Sequence, residues 1–111
     1  MQLVIIAHNL RSAHNVGSLL RTADGLGITE LILTGYTPYP LAINDTRMPH
    51  LAAKIDRQIN KTALDAAVAW RHADSIEPVL ADLRAYGYTI AALEQSSTSI
   101  MLPDFEPPAQ I

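Results

Sequence analysis

The stretch Gln2–Thr34, QLVIIAHNLRSAHNVGSLLRTADGLGITELILT, decides the fold. Gln2–Ala7 is a short apolar run rich in Val and Ile, suited to a buried strand. His8–Ser12 is polar and turn-like. Val16, Leu19, Leu20, Ala23 and Leu26 then recur at helical spacing, which predicts an amphipathic helix over Ala13–Leu26. Gly25 and Gly27 stand where that helix should stop. Glu30–Thr34 reads as a second buried strand. Strand, helix and strand within 35 residues make a right-handed βαβ unit, the seed of a parallel α/β sheet.

Further along, Gly35–His50 holds Pro38, Pro40 and Pro49 without periodicity and reads as a long loop. Leu51–Ala69 favours one or two short helices, and Ala69–His72 a short strand. A helix is expected from Ser75 to about Tyr86, with Ser75 as N-cap and Glu77 in the first turn. Gly87 ends it and Tyr88–Leu93 forms a strand. After Glu94 the chain turns polar and then proline-rich, and no further element is expected. Such a sheet leaves its last strand exposed, which predicts self-association.

Composition bounds the function. The 111 residues are 49% hydrophobic and 17% charged, a globular balance that suits one domain. No cysteine is present, so disulfides, thiolate nucleophiles and sulfur-based metal sites are excluded. The apolar start lacks a basic n-region, and no run is long enough to span a bilayer; a cytoplasmic protein without membrane attachment is expected. The net charge of −3 is unevenly spread. Residues 1–61 carry six bases against four acids, residues 62–111 two against seven. The basic half could face phosphate, although solvated charge without a partner is the simpler account.

The usual site motifs are missing. There is no G-x-G-x-x-G, no P-loop and no G-x-S-x-G elbow, and His8, His14, His50 and His72 lack metal-ligand spacing, so no metal is expected. On the predicted first helix, Asn15, Ser18 and Arg21 follow at i, i+3 and i+6 along one ridge opposite the apolar stripe. Arg11 and His14 lie on the approach to it. Such polar groups belong near the C-terminal end of the first strand, where open α/β sheets hold ligands. Spacing alone leaves two readings open: a ligand site, or a helix cap at Asn15 with a solvated charge at Arg21.

The segment Asn15, Gly17, Arg21, Thr22, Ala23, Gly27 resembles the motif N-x-G-x-x-x-R-T-A-x-x-x-G of the SpoU (TrmH) family of RNA ribose methyltransferases, within the SPOUT superfamily. Lys61–Ala67, KTALDAA, is similar to that family's K-T-A-x-G-A, with Asp65 in place of the glycine. Gly87-Tyr88 before a strand ending Ala92-Leu93-Glu94-Gln95 also fits. The resemblance implies an α/β domain of the trefoil-knot class, S-adenosylmethionine as cofactor, tRNA or rRNA as partner, and a homodimer. It implies catalytic roles for Arg21 and Asn15. Arg11, Ser18, Arg47 and Lys54 are candidate RNA contacts, Glu94 and Ser96 weak candidates for the cofactor pocket, and Tyr36 and Tyr39 possible base-stacking residues. The family's knot rests on two later motifs, G-N-E-x-x-G and S-L-N-V-S-x-A, which these residues lack. The expectation is therefore a single domain over 1–111, the N-terminal portion of the fold, ending before the cofactor-binding knot. The expected activity is 2′-O-methylation of RNA. The alternatives are an RNA-binding or interaction module without catalysis, and a small phosphate-binding α/β protein.

Overall fold

The computed structural model describes residues 2–95 and 98–105. In chain order the elements are β1 (Val4–His8), α1 (Ala13–Gly25), β2 (Glu30–Thr34), α2 (Pro49–Ala63), β3 (Trp70–Ala73), α3 (Ile76–Ala85), β4 (Tyr88–Gln95) and β5 (Thr98–Phe105). They form one five-stranded sheet in the order β3-β2-β1-β5-β4.

β1, β2 and β3 pair in parallel, and both faces of β1 and β2 are covered. Ile5 and Ala7 of β1 join Leu31 and Leu33 of β2 in a core completed by Val16, Leu20 and Ala23 of α1 and Ile59 and Ala63 of α2. The alternate residues Val4, Ile6 and Ile32 point the other way, onto Ile76, Val79 and Leu83 of α3. Burial on both faces is why QLVIIA and ELILT are unbroken apolar runs instead of alternating ones. Ile6, Leu31, Ile32 and Leu33 have essentially no solvent exposure.

One expectation is overturned. The chain does form a further element after Glu94: β5 runs antiparallel between β1 and β4. Because β5 opposes both neighbours, β4 runs in the same direction as β1 without pairing to it, and parallel pairing is confined to β1, β2 and β3. Pro103 lies in β5 beyond Ser99–Met101, the stretch that pairs with β1, so its missing N–H is tolerated there.

The sheet reverses its order beside β1. β2 and β3 extend to one side, β5 and β4 to the other, which makes the C-terminal end of β1 the switch point where α/β sheets place ligands. A single register row crosses the sheet at that edge, running Ala73, Thr34, His8, Ser99, Glu94.

Candidate functional site

The turn after β1 is held by a side-chain network. Asn9 adopts a positive φ of 56°, tolerable for asparagine, and its Oδ1 accepts the Tyr36 N–H at 3.1 Å. That bond turns the Asn9 amide nitrogen toward His8 Nε2, 3.2 Å away. Nε2 must therefore accept, and Nδ1 carries the proton donated to Thr34 Oγ1 at 2.9 Å. Thr37 closes the network: its Oγ1 accepts from the Leu10 N–H at 3.0 Å and donates to the Thr34 carbonyl at 2.7 Å. Gly35, at φ 66°, admits Asn9 because a Cβ there would strike the Asn9 amide oxygen.

α1 begins from this turn. Ser12 is the N-cap, its Oγ accepting the Asn15 N–H at 3.1 Å. The cap is thus Ser12 and not Asn15, whose side chain is exposed and has no hydrogen-bond partner among the described residues. Ser18 and Arg21 follow on the same exposed ridge. Six residues at 1.5 Å per residue put Arg21 about 9 Å down the axis from Asn15. Asn15 is therefore near the sheet's C-terminal edge, whereas Arg21 faces α2.

The meeting of α1 and α2 shapes the site. Gly17 is buried, and a Cβ on it would collide with the Ile59 carbonyl and with Thr62 Oγ1. Absence of that Cβ lets the two backbones approach. Thr62 Oγ1 then donates to the His14 carbonyl at 2.7 Å, tying the end of α2 to the start of α1. Between the helices runs an open groove of about 450 Å³ lined by Ser18, Arg21, Thr22, Lys61, Thr62 and Leu64. The two sequence segments that carried the resemblance thus form its two walls. Neither Arg21 nor Lys61 is paired with a carboxylate among the described residues.

The remaining candidates are dispersed. Arg11 is exposed in the β1–α1 turn and Lys54 on α2. Arg47 is engaged within its own loop. Its Nε donates to Asp45 Oδ1 at 2.9 Å, Nη2 to Asp45 Oδ2, and Nη1 and Nη2 to the Tyr39 and Pro40 carbonyls, each at 3.0 Å. The Arg47 and Asp45 side chains are only 15% and 8% exposed. Hydrogen bonding from Arg47 holds the Asp45 carboxyl far below the usual carboxylate range. Tyr39 is sandwiched, with the guanidinium 3.6 Å from its ring centre and His72 stacked at 3.9 Å, so its faces are spent inside the domain. Tyr36 remains exposed. Glu94 ends the register row that contains His8, and Ser96 lies outside the described residues.

Lys61 is the groove residue that reasoning along the chain missed. It lies forty residues from Arg21, and only the close helix contact at Gly17 brings them together. The glycine itself was the available signal. Among the described residues, no group of three or more His, Cys, Asp or Glu could hold a metal ion, and no helix is long and apolar enough to cross a membrane. Compared with known proteins, the chain matches the family model of the SpoU rRNA Methylase family over residues 2–111. No match was found among curated proteins or solved structures.

Proposed function

Because the chain belongs to the SpoU rRNA methylase family, a family of RNA methyltransferases, we propose that it takes part in transferring a methyl group from S-adenosylmethionine to a ribose 2′-hydroxyl of tRNA or rRNA. The observation that carries this reading is Arg21: an exposed cation on the motif helix, lining a groove and bound to no carboxylate among the described residues.

Methyl transfer to a hydroxyl needs an aligned acceptor, loss of the hydroxyl proton, and stabilisation of negative charge developing on the attacking oxygen. A guanidinium stays protonated and has no lone pair to offer, so Arg21 is not the base. Its fork of N–H donors suits a developing alkoxide, or a phosphate oxygen that relays the proton. Asn15, with a carboxamide free to donate and accept, positions the ribose. Arg11, Ser18 and Lys54 supply outlying contacts to the RNA backbone, and Arg47 serves by holding the loop.

S-adenosylmethionine, when bound, supplies the methyl group. The oxygen atoms of a glutamate and a serine side chain suit hydrogen bonds with the hydroxyls of its ribose, and the register row puts Glu94 at the same sheet edge as His8. Glu94 and Ser96 would hold it.

The test is methyl transfer from labelled S-adenosylmethionine to unmodified tRNA and rRNA by the wild-type chain and by Arg21→Lys. Loss of the guanidinium fork should lower turnover at least about 100-fold with little change in melting temperature. An Arg21→Lys protein with nearly full turnover would overturn the role given to Arg21.

A further inference from the structure

We propose that Lys61 is a second RNA-contacting residue of this site, and that the α1–α2 groove seats an internucleotide phosphate between Lys61 and Arg21. The inference rests on the reading of Arg21 given above and extends it to a residue on another helix.

Three observations converge on it. First, Lys61 and Arg21 line one groove of about 450 Å³ from opposite walls. Second, the crossing that brings them together is fixed by backbone contact at Gly17 and by the 2.7 Å bond from Thr62 to the His14 carbonyl. Two like charges held on facing walls repel, and an anion between them converts that repulsion into attraction. Third, neither groove cation is held by a carboxylate among the described residues, so both are available to an anion, unlike Arg47 and Arg71, which pair with Asp45 and Glu30. The groove also offers the Ser18 and Thr22 hydroxyls, neither of which has a hydrogen-bond partner among the described residues; the Thr62 hydroxyl is spent on His14. Cations flanked by hydroxyl donors suit a phosphate monoanion of an RNA strand, with the ammonium as a compact point charge and the guanidinium as an oriented fork.

Lys61 also stands in the last turn of α2, where a cation offsets the helix dipole. That structural role predicts a change in melting and none in RNA binding, so the two roles separate by experiment. Binding of a fluorescein-labelled 20-nucleotide single-stranded RNA is followed by anisotropy from 50 to 200 mM KCl. The proteins are wild type, Lys61→Gln, Lys61→Arg, Arg21→Gln and, as control, Arg84→Gln on α3, which packs on the opposite face of the sheet. Lys61→Gln should reduce the slope of log affinity against log salt by about 0.7, Lys61→Arg should restore it, and Arg84→Gln should leave it unchanged. If Lys61→Gln keeps the wild-type slope while Arg21→Gln weakens binding, Lys61 is not a phosphate contact and the site around Arg21 stands. If Arg21→Gln changes nothing either, the groove is not an RNA site and both readings fall.

Discussion

Gly17 on α1 lies so close to the Ile59 carbonyl on α2 that a Cβ cannot stand between them. Beside the Thr62 hydroxyl, the atoms opposite are the Ile59 carbonyl and the Ala63 amide nitrogen, backbone that cannot swing aside as a flexible side chain would. The glycine of the motif is therefore a packing requirement, and the helix contact it permits builds the groove beside Arg21.

Replacing Gly17 by Ala should force α2 away from α1. The expected cost is about 3 kcal/mol, the upper part of the range for overpacking, seen as a fall of more than about 10 °C in thermal melting. The same variant should disturb the Arg21–Lys61 groove and weaken RNA binding. Wild-type melting in Gly17→Ala would mean that the close contact is absent in solution.

Asp65 departs from the glycine of the family segment, and the structure gives it a φ of 62°, directly after Leu64 at 50°. A left-handed backbone carries no Cβ penalty only for glycine. Asp65→Gly should raise stability by about 0.5–1 kcal/mol in urea unfolding, and Asp65→Ala should not. Equal effects of the two would show that the turn after α2 is not left-handed.

The Asp45–Arg47 pair sets a pH dependence for the loop. The Asp45 carboxyl is held below its ordinary value of 3.8 by hydrogen bonding from the Arg47 side chain, with further bonds from the Arg47 and Ala42 amides. A depressed carboxylate stabilises the fold above its unfolded value and loses that contribution as pH falls toward the folded one. Melting of wild type should therefore exceed that of Asp45→Asn throughout pH 6–8, and the gap should close only below about pH 4. A gap that closed between pH 6 and 8 would assign the stabilisation to another group.

Much of this was legible along the chain because local chemistry and tertiary role agree. QLVIIA and ELILT are apolar on both faces and become the doubly covered strands β1 and β2, with Val16, Leu20 and Ala23 of α1 laid over one face. Helix α2 begins at Pro49, two residues before the expected start, because proline suits the first helical position whose N–H needs no partner. β5 was not legible: Thr98–Phe105 contains a proline, and its strand character comes from pairing with β4 and β1. In the candidate site, the Asn15–Ser18–Arg21 ridge follows from helical periodicity within one segment. Lys61 depends on how two helices cross. Arg47 was a plausible phosphate contact by charge alone, and only its neighbours Asp45 and Tyr39 reveal that its donors are occupied.

The function proposed for this site makes ribose, and not a base, the methyl acceptor. Unmodified tRNA and rRNA are incubated with the chain and methyl-labelled S-adenosylmethionine, digested to nucleosides and separated by mass spectrometry. Label should appear on a 2′-O-methylated ribose and be lost with Arg21→Lys. Label on a base, or label that persists at full level in Arg21→Lys, would contradict it.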